Sequence, residues 1–474
     1  MSPETPTSPP APAELLAAAH VAVLLVGVTW AFGGNADWVR TPISLWASLG
    51  IVLGFAAVTV PALRALALPG TRTWAWPILA LNAVVAVSCL TPGFRTLTYP
   101  SGTFLMPVQL PWWRPSSAQA GTSLRSLWLF DGLYFSCLNL ALLVRHKRVL
   151  RGLLALVAAN ALLLAVFGTV QKLVHSPGIY FGAVASPQES FFASFVYDNH
   201  WSAFMILMLG ICIGLIFRYA HGSRGDGFLR GPAPGGLMAV ALLCITIPFS
   251  GSRACSLLAG LLVLFALVRG AGEVARTGRA GRGRVGRVLV VAAAAAALAG
   301  AGLWLVAGDV IRARTDKTRD QVATMVAQHG LGARQVLYRD TWAMARARLL
   351  FGWGMGSFPR VFALYNTQES KVDRIPVVYH DAHSDWLQSV AELGLAGTAL
   401  LGAAVALPLR AARRRRLGPV PLFLGAGCAL VAAYAWIEFP FGNVAVVLSW
   451  WLCFLTAVQY LRLPGEPRPA ASAA

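Results

Sequence analysis

The sequence predicts an all-α polytopic membrane protein, with about 12 transmembrane helices and one large loop outside the membrane that itself contains helices. The first observation is composition, because hydrophobic residues make up 57% of the 474 residues and charged residues only 12%. The second is a mean hydropathy of +0.63. A soluble fold of this length has too little interior for so much apolar surface, so lipid must solvate part of the chain.

The third observation is a series of apolar runs, since a helix needs roughly 20 residues to cross a bilayer. The runs lie near 13–33, 42–63, 74–91, 126–144, 152–171, 200–219, 236–249, 254–268, 287–308, 385–408, 418–437 and 441–461. With the N-terminus inside, more than half of the Lys and Arg residues fall in cytoplasmic connections. The positive-inside rule therefore predicts an even number of spans and cytoplasmic N- and C-termini. This topology explains most of the net charge of +20, so nucleic acid is not an expected partner.

The runs divide the chain into tails, membrane segments and outer loops. The predicted segments are a disordered cytoplasmic tail (1–12), transmembrane helices 1–9 (13–308) with outer loops near 92–125 and 172–199, a large outer loop (309–384), transmembrane helices 10–12 (385–461) and a cytoplasmic tail (462–474). The first segment lacks the basic start of a secretory signal, so the first span is expected to stay uncleaved. The seven cysteines have no CxxC spacing, which supports neither a disulfide framework nor a zinc site.

The large outer loop contains a stretch with helical periodicity, from Ala333 to Phe351. One face of this predicted helix carries Arg334, Tyr338, Thr341, Ala345 and Arg348, which recur at intervals of three and four residues. Two interpretations stay open on spacing alone. The arginines belong to a site, or the helix lies at the membrane interface with its arginines on anionic headgroups.

Arg253 is the first candidate site residue, in the turn that joins two short apolar runs. The runs hold about 14 and 15 residues, less than a bilayer needs, so the turn is expected to lie below the outer surface. An isolated arginine at depth costs at least about 2.5–3.5 kcal/mol and normally has a partner or ligand. The alternative is that Arg253 extends outward to water or pairs with Asp198.

The second candidate element opens the tenth predicted span, at residues 379–388. Ser384 suits the N-cap position, and Asp385 suits the positive end of the helix dipole. Asp385, Gln388 and Glu392 lie on one face of the outer half of the span, which is therefore expected to line a cavity. The free N–H groups of the helix start suit an anion such as phosphate.

His383 stands beside this helix start, with a side chain suited to accepting a proton near neutrality. A divalent metal is a competing interpretation, in which His380, Asp381, His383 and Asp385 act as ligands. Plain helix capping with a surface histidine is the third.

Five motifs in order resemble one family. In chain order they are Asp198-Asn199-His200-Trp201; Ser252-Arg253; Arg334, Tyr338 and Arg339 followed by Gly352, Gly354 and Gly356; His383-Ser384-Asp385-Trp386-Leu387-Gln388 followed by Glu392-Leu393-Gly394 and Gly397; and Glu438-Phe439-Pro440. Together they resemble the O-antigen ligase and O-antigen polymerase superfamily of bacterial membrane glycosyltransferases, from about residue 190 to 445. The departures are Ser384 for Asn, Glu438 for Asp and Tyr338 for the commoner Trp, with His380 as an extra residue.

The resemblance implies an enzyme that transfers a glycan from a polyprenyl (undecaprenyl) diphosphate donor to an acceptor hydroxyl on the periplasmic side. The expected location is the bacterial inner membrane, and neither a metal nor another cofactor is expected. Arg253 and Arg334, supported by Arg339, are expected to bind the diphosphate. His383 is the expected base, and Asp385 is expected to orient it. The expected cavity-lining residues are Asn199, His200, Tyr338, Gln388 and Glu392.

Several acceptors are compatible with shared motifs: the lipid A core for a ligase, another repeat unit for a polymerase, or a protein side chain. A polytopic transporter or flippase of lipid-linked glycans is the alternative class. Transporters tend to show repeated halves and midplane site residues, whereas the polar candidates here cluster at the outer face. A structural scaffold without chemistry explains neither Arg253 nor His383.

Overall fold

A computed structural model describes residues 9–100, 102–188, 190–222, 233–277, 333–368, 378–413, 415 and 417–464 of the chain. The helices are α1 (Pro12–Trp30), α2 (Asp37–Thr59), α3 (Pro61–Arg64), α4 (Trp76–Cys89), α5 (Ala120–Leu143), α6 (Lys147–Leu173), α7 (Asp198–Gly222), α8 (Ala233–Ser250), α9 (Arg253–Thr277), α10 (Ala333–Ala347), α11 (Phe358–Val361), α12 (Asp385–Ala412), α13 (Pro419–Tyr434) and α14 (Val444–Arg462). Short 3-10 turns lie at Phe32–Gly34, Thr71–Ala75, Phe362–Leu364 and Pro440–Gly442.

The protein is a helical, polytopic membrane protein. Among the described residues, eight helices are long and apolar enough to cross a membrane, and two shorter apolar helices, Pro234–Ser250 and Pro419–Tyr434, accompany them. Every predicted apolar run within the described residues overlaps a helix. The run at 287–308 and the first part of the predicted large loop, 309–332, lie outside those residues. The total of about 12 spans therefore stays a prediction.

Three helices form the centre of the bundle. In α5, α7 and α14, 72%, 72% and 89% of the most apolar window is buried inside the protein, against 17% in α9. Small residues let the central helices approach their neighbours closely. A Cβ on Gly132 of α5 would lie 2.6 Å from Cβ of Ala47 on α2, and one on Gly210 of α7 would lie 2.7 Å from the carbonyl oxygen of Phe423 on α13.

The loop near 92–125 departs from the all-α prediction. It holds an antiparallel hairpin, β1 (Phe94–Tyr99) with β2 (Gly102–Pro107), in which Phe94 pairs with Pro107 and Tyr99 with Gly102. The strands are rich in Thr and aromatic residues, which favour extended backbone. Neither strand has the long apolar run that marks a membrane span, so the hairpin was not predicted. The hairpin attaches to the protein where the ring of Phe94 lies 6.0 Å from that of Trp353.

The glycine-rich turn at 352–356 and α10 dock on a kink in α12. Gly394 interrupts this helix with φ of 66°, a backbone conformation that strongly favours glycine. The kink frees the N–H of Leu395 to donate to Leu349 O at 2.9 Å, while Trp353 N donates to Ala391 O at 3.0 Å. A Cβ on Gly394 would lie 2.3 Å from Leu350 O. This close backbone contact fixes the glycine-rich turn at 352–356, and hence α10, against the start of α12.

Candidate active site

Glu438 is the centre of the polar cluster at the start of α12. Its side chain is 5% exposed, and its two carboxylate oxygens have different partners. Oε1 accepts a hydrogen bond from Nη2 of Arg334, and Oε2 lies 3.2 Å from Nδ1 of His383. The three residues come from α10, from the segment before α12 and from the segment after α13. Tertiary structure thus joins an arginine and a histidine through one buried carboxylate.

His383 has a constrained backbone. Its φ of 49° lies in the left-handed region, which is uncommon for a residue other than glycine and is often found where structure serves function. The hydroxyl of Tyr338 donates to the His383 carbonyl at 2.9 Å. Ser384, the next residue, caps α12 by accepting from Leu387 N, as predicted. The ring of His383 meets that of Phe439 edge to face, with centroids 4.8 Å apart. The imidazole is therefore positioned from several sides.

The contact with Glu438 determines how the imidazole can act. An ionised carboxylate only accepts hydrogen bonds, so Nδ1 of His383 carries the proton and Nε2 presents a lone pair. The side chain is 28% exposed, which leaves the ring accessible. This is the arrangement of a general base whose second nitrogen is held by a carboxylate, which also stabilises the imidazolium once a proton is accepted.

Arg334 faces the protein as well as solvent. Its side chain is 45% exposed, and besides the ion pair with Glu438, Nη1 donates to Ile437 O at 3.1 Å. Burial lowers the pKa of Arg334, but the carboxylate of Glu438 more than offsets this, and the pKa is raised overall. Arg348, further along the same face, is buried and donates to Val108 O at 2.7 Å. These arginines contact protein, which favours the site interpretation of this helix.

Asp381 adds a second carboxylate beside His383. Burial raises the pKa of Asp381, while the charges of His383, His380 and Arg40 act in the opposite direction. Arg40 belongs to the first turn of α2, so the charge of that turn also acts on Asp381. No motif in the sequence marks Arg40, because it is far from the other site residues along the chain.

The first turn of α7 and Tyr197, the residue before it, contact the cluster. Nε2 of His200 lies 3.1 Å from the carbonyl of Phe439, so it carries the ring proton, while the buried Nδ1 has no partner among the described residues. Asn199 donates to the hydroxyl of Tyr197 at 2.7 Å, and the ring of Tyr197 stacks on Phe439 at 5.3 Å. The structure thus brings Asn199 and His200 to the site, as expected. Burial is the main cause that raises the pKa of Tyr197.

The expectation that Asp385 orients His383 is corrected. Oδ2 of Asp385 accepts the backbone N–H of Phe441 at 2.8 Å, and its own N–H donates to Ala435 O at 2.9 Å. Asp385 therefore fastens the start of α12 to the segment after α13. The carboxylate at the imidazole belongs to Glu438 instead. The sequence signal for it was the Glu438-Phe439-Pro440 motif, whose glutamate received no role.

Gln388 and Glu392 hold the glycine-rich turn. Glu392 accepts the N–H groups of Gly356 at 2.7 Å and Phe358 at 3.0 Å, and Gln388 donates to it at 3.3 Å. Gln388 also accepts from Ala382 N at 3.0 Å. The predicted shared face is correct, but these hydrogen bonds are internal to the protein. The face therefore has a positioning role, and Glu392 also lines a small cavity beside the turn.

Arg339 is not brought to the cluster. Its Nε donates to Asp340 at 3.0 Å and its Nη2 to Thr367 at 2.6 Å. Tyr338 and Arg334 are one helical turn apart and share a face, whereas Arg339 is one residue further and points elsewhere. The expected support for diphosphate binding from Arg339 is corrected accordingly.

Arg253 begins α9 next to the site. Ser250, before it, lies 2.9 Å from Ser202 of α7, and Cys255, after it, is within electrostatic range of Glu438 and Asp198. The side chain of Arg253 is exposed. The helices are longer than their apolar runs, with 18 residues in α8 and 25 in α9, although the apolar part of α8, Pro234–Ser250, is shorter than the eight helices long enough to cross a membrane. The turn is adjacent to the cluster, and its depth below the outer surface stays a prediction.

The metal interpretation finds no ligand set in the part of the chain that the structure describes. No group of three or more His, Cys, Asp or Glu side chains is arranged there to hold an ion. His380 is exposed, and Asp385 is committed to Phe441. The four residues considered as ligands therefore do not converge.

A model of the O-antigen ligase family matches residues 238–402 of the chain. The match covers about a third of the sequence and includes Arg253, Arg334 and the His383 motif, whereas His200 and Glu438 lie outside it. No match was found among curated proteins. The match supports the resemblance of the motifs to the O-antigen ligase and polymerase superfamily.

Proposed function

We propose that the protein transfers a glycan from a polyprenyl (undecaprenyl) diphosphate donor to an acceptor hydroxyl, with His383 as the base. The observation that carries the proposal is the buried carboxylate of Glu438, which holds His383 through one oxygen and Arg334 through the other. A base and a cation at fixed separation are what an attacking hydroxyl and a departing diphosphate require. The family match supports a lipid-linked glycan as substrate.

In the proposed step, Nε2 of His383 accepts the proton of the acceptor hydroxyl. The acceptor oxygen then bonds to the anomeric carbon of the donor, and the bond from that carbon to the diphosphate oxygen breaks. The products are the new glycoside, with inverted anomeric configuration, and polyprenyl diphosphate. Glu438 stabilises the imidazolium formed on the way, and Tyr338 and Phe439 keep the ring in place.

Arg334 and Arg253 are proposed to stabilise the departing diphosphate. Arginine suits this task because its planar guanidinium donates to two phosphate oxygens at once and stays charged. Two such side chains provide the positive charge that a metal ion supplies in other transferases. The reaction is therefore proposed to need no metal.

The proposed topology has about 12 spans, both termini in the cytoplasm and the site at the periplasmic face of the bacterial inner membrane. The large loop that carries α10 is then periplasmic. The distribution of Lys and Arg supports this orientation. The acceptor is the lipid A core, another repeat unit or a protein side chain.

Purified protein in nanodiscs, mixed with a polyprenyl-diphosphate glycan and each candidate acceptor, tests the proposal. We expect a glycosylated acceptor from the wild type, and loss of product by at least about 100-fold in His383→Ala and Arg253→Ala. His380→Ala is the matched control, because His380 is exposed and three residues away. Full activity in His383→Ala would remove this residue from the mechanism. Movement of the donor across vesicles without bond formation would favour a flippase.

A further inference from the structure

We propose that Arg334 changes partner during the reaction, leaving Glu438 for the donor diphosphate so that Glu438 then serves His383 alone. The inference rests on the proposed function and adds an order of events to it. Binding of the donor would convert the site from a resting to an active charge arrangement. The starting point is that a guanidinium and an imidazole share one carboxylate that is 5% exposed.

The two partners of Glu438 are held unequally. His383 is fixed by the hydrogen bond from Tyr338 to its carbonyl and by the edge of Phe439 against its ring. Arg334 lies in the first turn of α10, and its guanidinium, 45% exposed, stands at the end of a long side chain. Rotation of that side chain breaks two hydrogen bonds and moves no backbone. Arg334 is therefore the partner that can leave.

A diphosphate is the group that can draw Arg334 away. It offers several anionic oxygens and more negative charge than one carboxylate, and guanidinium binds phosphate in a two-pronged geometry. In the absence of donor, Arg334 neutralises the buried carboxylate, which would otherwise lack a full positive partner. The ion pair with Glu438 is thus the resting state of a residue that the donor recruits.

The exchange leaves the whole charge of Glu438 to His383 once the donor is bound. In the resting arrangement, Arg334 and His383 share that carboxylate. When Arg334 moves to the diphosphate, the undivided negative charge faces Nδ1–H of His383 and stabilises the imidazolium. Transfer of the acceptor proton to Nε2 is then promoted only with donor in place. The charge of Asp381 also interacts with His383, and no bond between Asp381 and Arg334 is present among the described residues.

The test is a double-mutant cycle on binding of undecaprenyl diphosphate to the protein in nanodiscs. Glu438→Gln releases Arg334, so we expect it to bind the diphosphate about tenfold more tightly than the wild type, although glycan transfer falls. Arg334→Gln should bind more weakly. In the double variant, the gain from Glu438→Gln should disappear, because the gain requires Arg334.

Asp381→Asn is the matched control, since it removes a neighbouring negative charge that has no bond to Arg334. Its effect on diphosphate binding should be small and equal in the presence and absence of Arg334. The exchange is overturned if Glu438→Gln binds no more tightly than wild type, or if its gain persists with Arg334→Gln. If the exchange fails this test but the wild type still binds the diphosphate and transfers glycan, the proposed function stands. If the wild type does neither, the exchange and the proposed function are both overturned.

Discussion

Nδ1 of His383 and Oε2 of Glu438 lie 3.2 Å apart, although 55 positions of sequence separate the two residues. The contact spans α12 and α13, so the pair forms only when both helices are packed. It also selects the tautomer that leaves Nε2 free for a proton. If His383 acts as the proposed base, the carboxylate is part of it, and variants of the two residues should behave as one unit.

Glu438→Ala should lower glycan transfer by at least about 100-fold, because the imidazolium loses its counter-charge. His383→Ala together with Glu438→Ala should be no slower than His383→Ala alone, since groups that act as a unit are not additive. Initial rates of the three variants, each checked for folding in the membrane, measure this. Multiplicative losses in the double variant would show that the two side chains act separately.

Tyr338→Phe tests the constraint on the His383 backbone. Loss of the hydroxyl leaves the His383 carbonyl without this donor, so we expect about 1 kcal/mol less stability and a lower transfer rate. Tyr379→Phe, which removes a hydroxyl bonded to Gln368, is the control and should leave the rate unchanged. Equal rates in wild type and Tyr338→Phe would mean that His383 keeps its position without this bond.

The raised pKa of Asp381 predicts that the stability of the protein depends on pH. Because burial raises its pKa in the folded state, folding favours the protonated form. The favourable contribution of Asp381 to the free energy of unfolding is fully present below its unfolded-state pKa, about 3.9. It is lost as pH rises through the pKa of Asp381 in the folded state. Asp381→Asn should therefore raise the melting temperature at neutral pH and leave it unchanged near pH 3. Thermal unfolding in detergent at both pH values measures this, and a lower melting temperature at neutral pH would contradict it.

Gly394→Ala should disrupt the docking of the glycine-rich turn at 352–356 and of α10 on α12. The added Cβ would lie 2.3 Å from Leu350 O in a backbone conformation with φ of 66°, and such strain costs about 1–3 kcal/mol before any clash. Gly402→Ala in the same helix is the control, because nothing lies within 4 Å of its Cβ. We expect lower thermal stability and lower transfer in the first variant only. Wild-type stability in Gly394→Ala would show that the kink tolerates a side chain.

Much of this arrangement was predictable from the order of residues. The apolar runs predicted the described helices, and Ser384 was correctly predicted to cap α12. The shared face of Arg334 and Tyr338 follows from helical periodicity, and both residues contact the His383–Glu438 unit. Motif order gave the family resemblance, which the match over residues 238–402 confirms.

Which residues the polar side chains of the site bond to was not predictable in the same way. Asp385 stands two residues from His383 and was the obvious carboxylate, yet its side chain turns to Phe441, while Glu438 reaches the imidazole. Arg339 is a neighbour of Tyr338 but lies on another face of α10 and binds Asp340 and Thr367. The charge of Arg40 acts on Asp381 from α2 without any motif to mark it.

By itself, the sequence determined that the chain enters a membrane, where its helices lie, and which residue types are available near the outer side. Those properties follow from hydrophobicity and from local periodicity, which act within a few turns of one helix. Only the packing of α10, α12 and α13 decided that Glu438 joins Arg334 to His383. Hydrogen bonds between side chains depend on distances of a few tenths of an ångström between separate helices, and no local pattern contains that information.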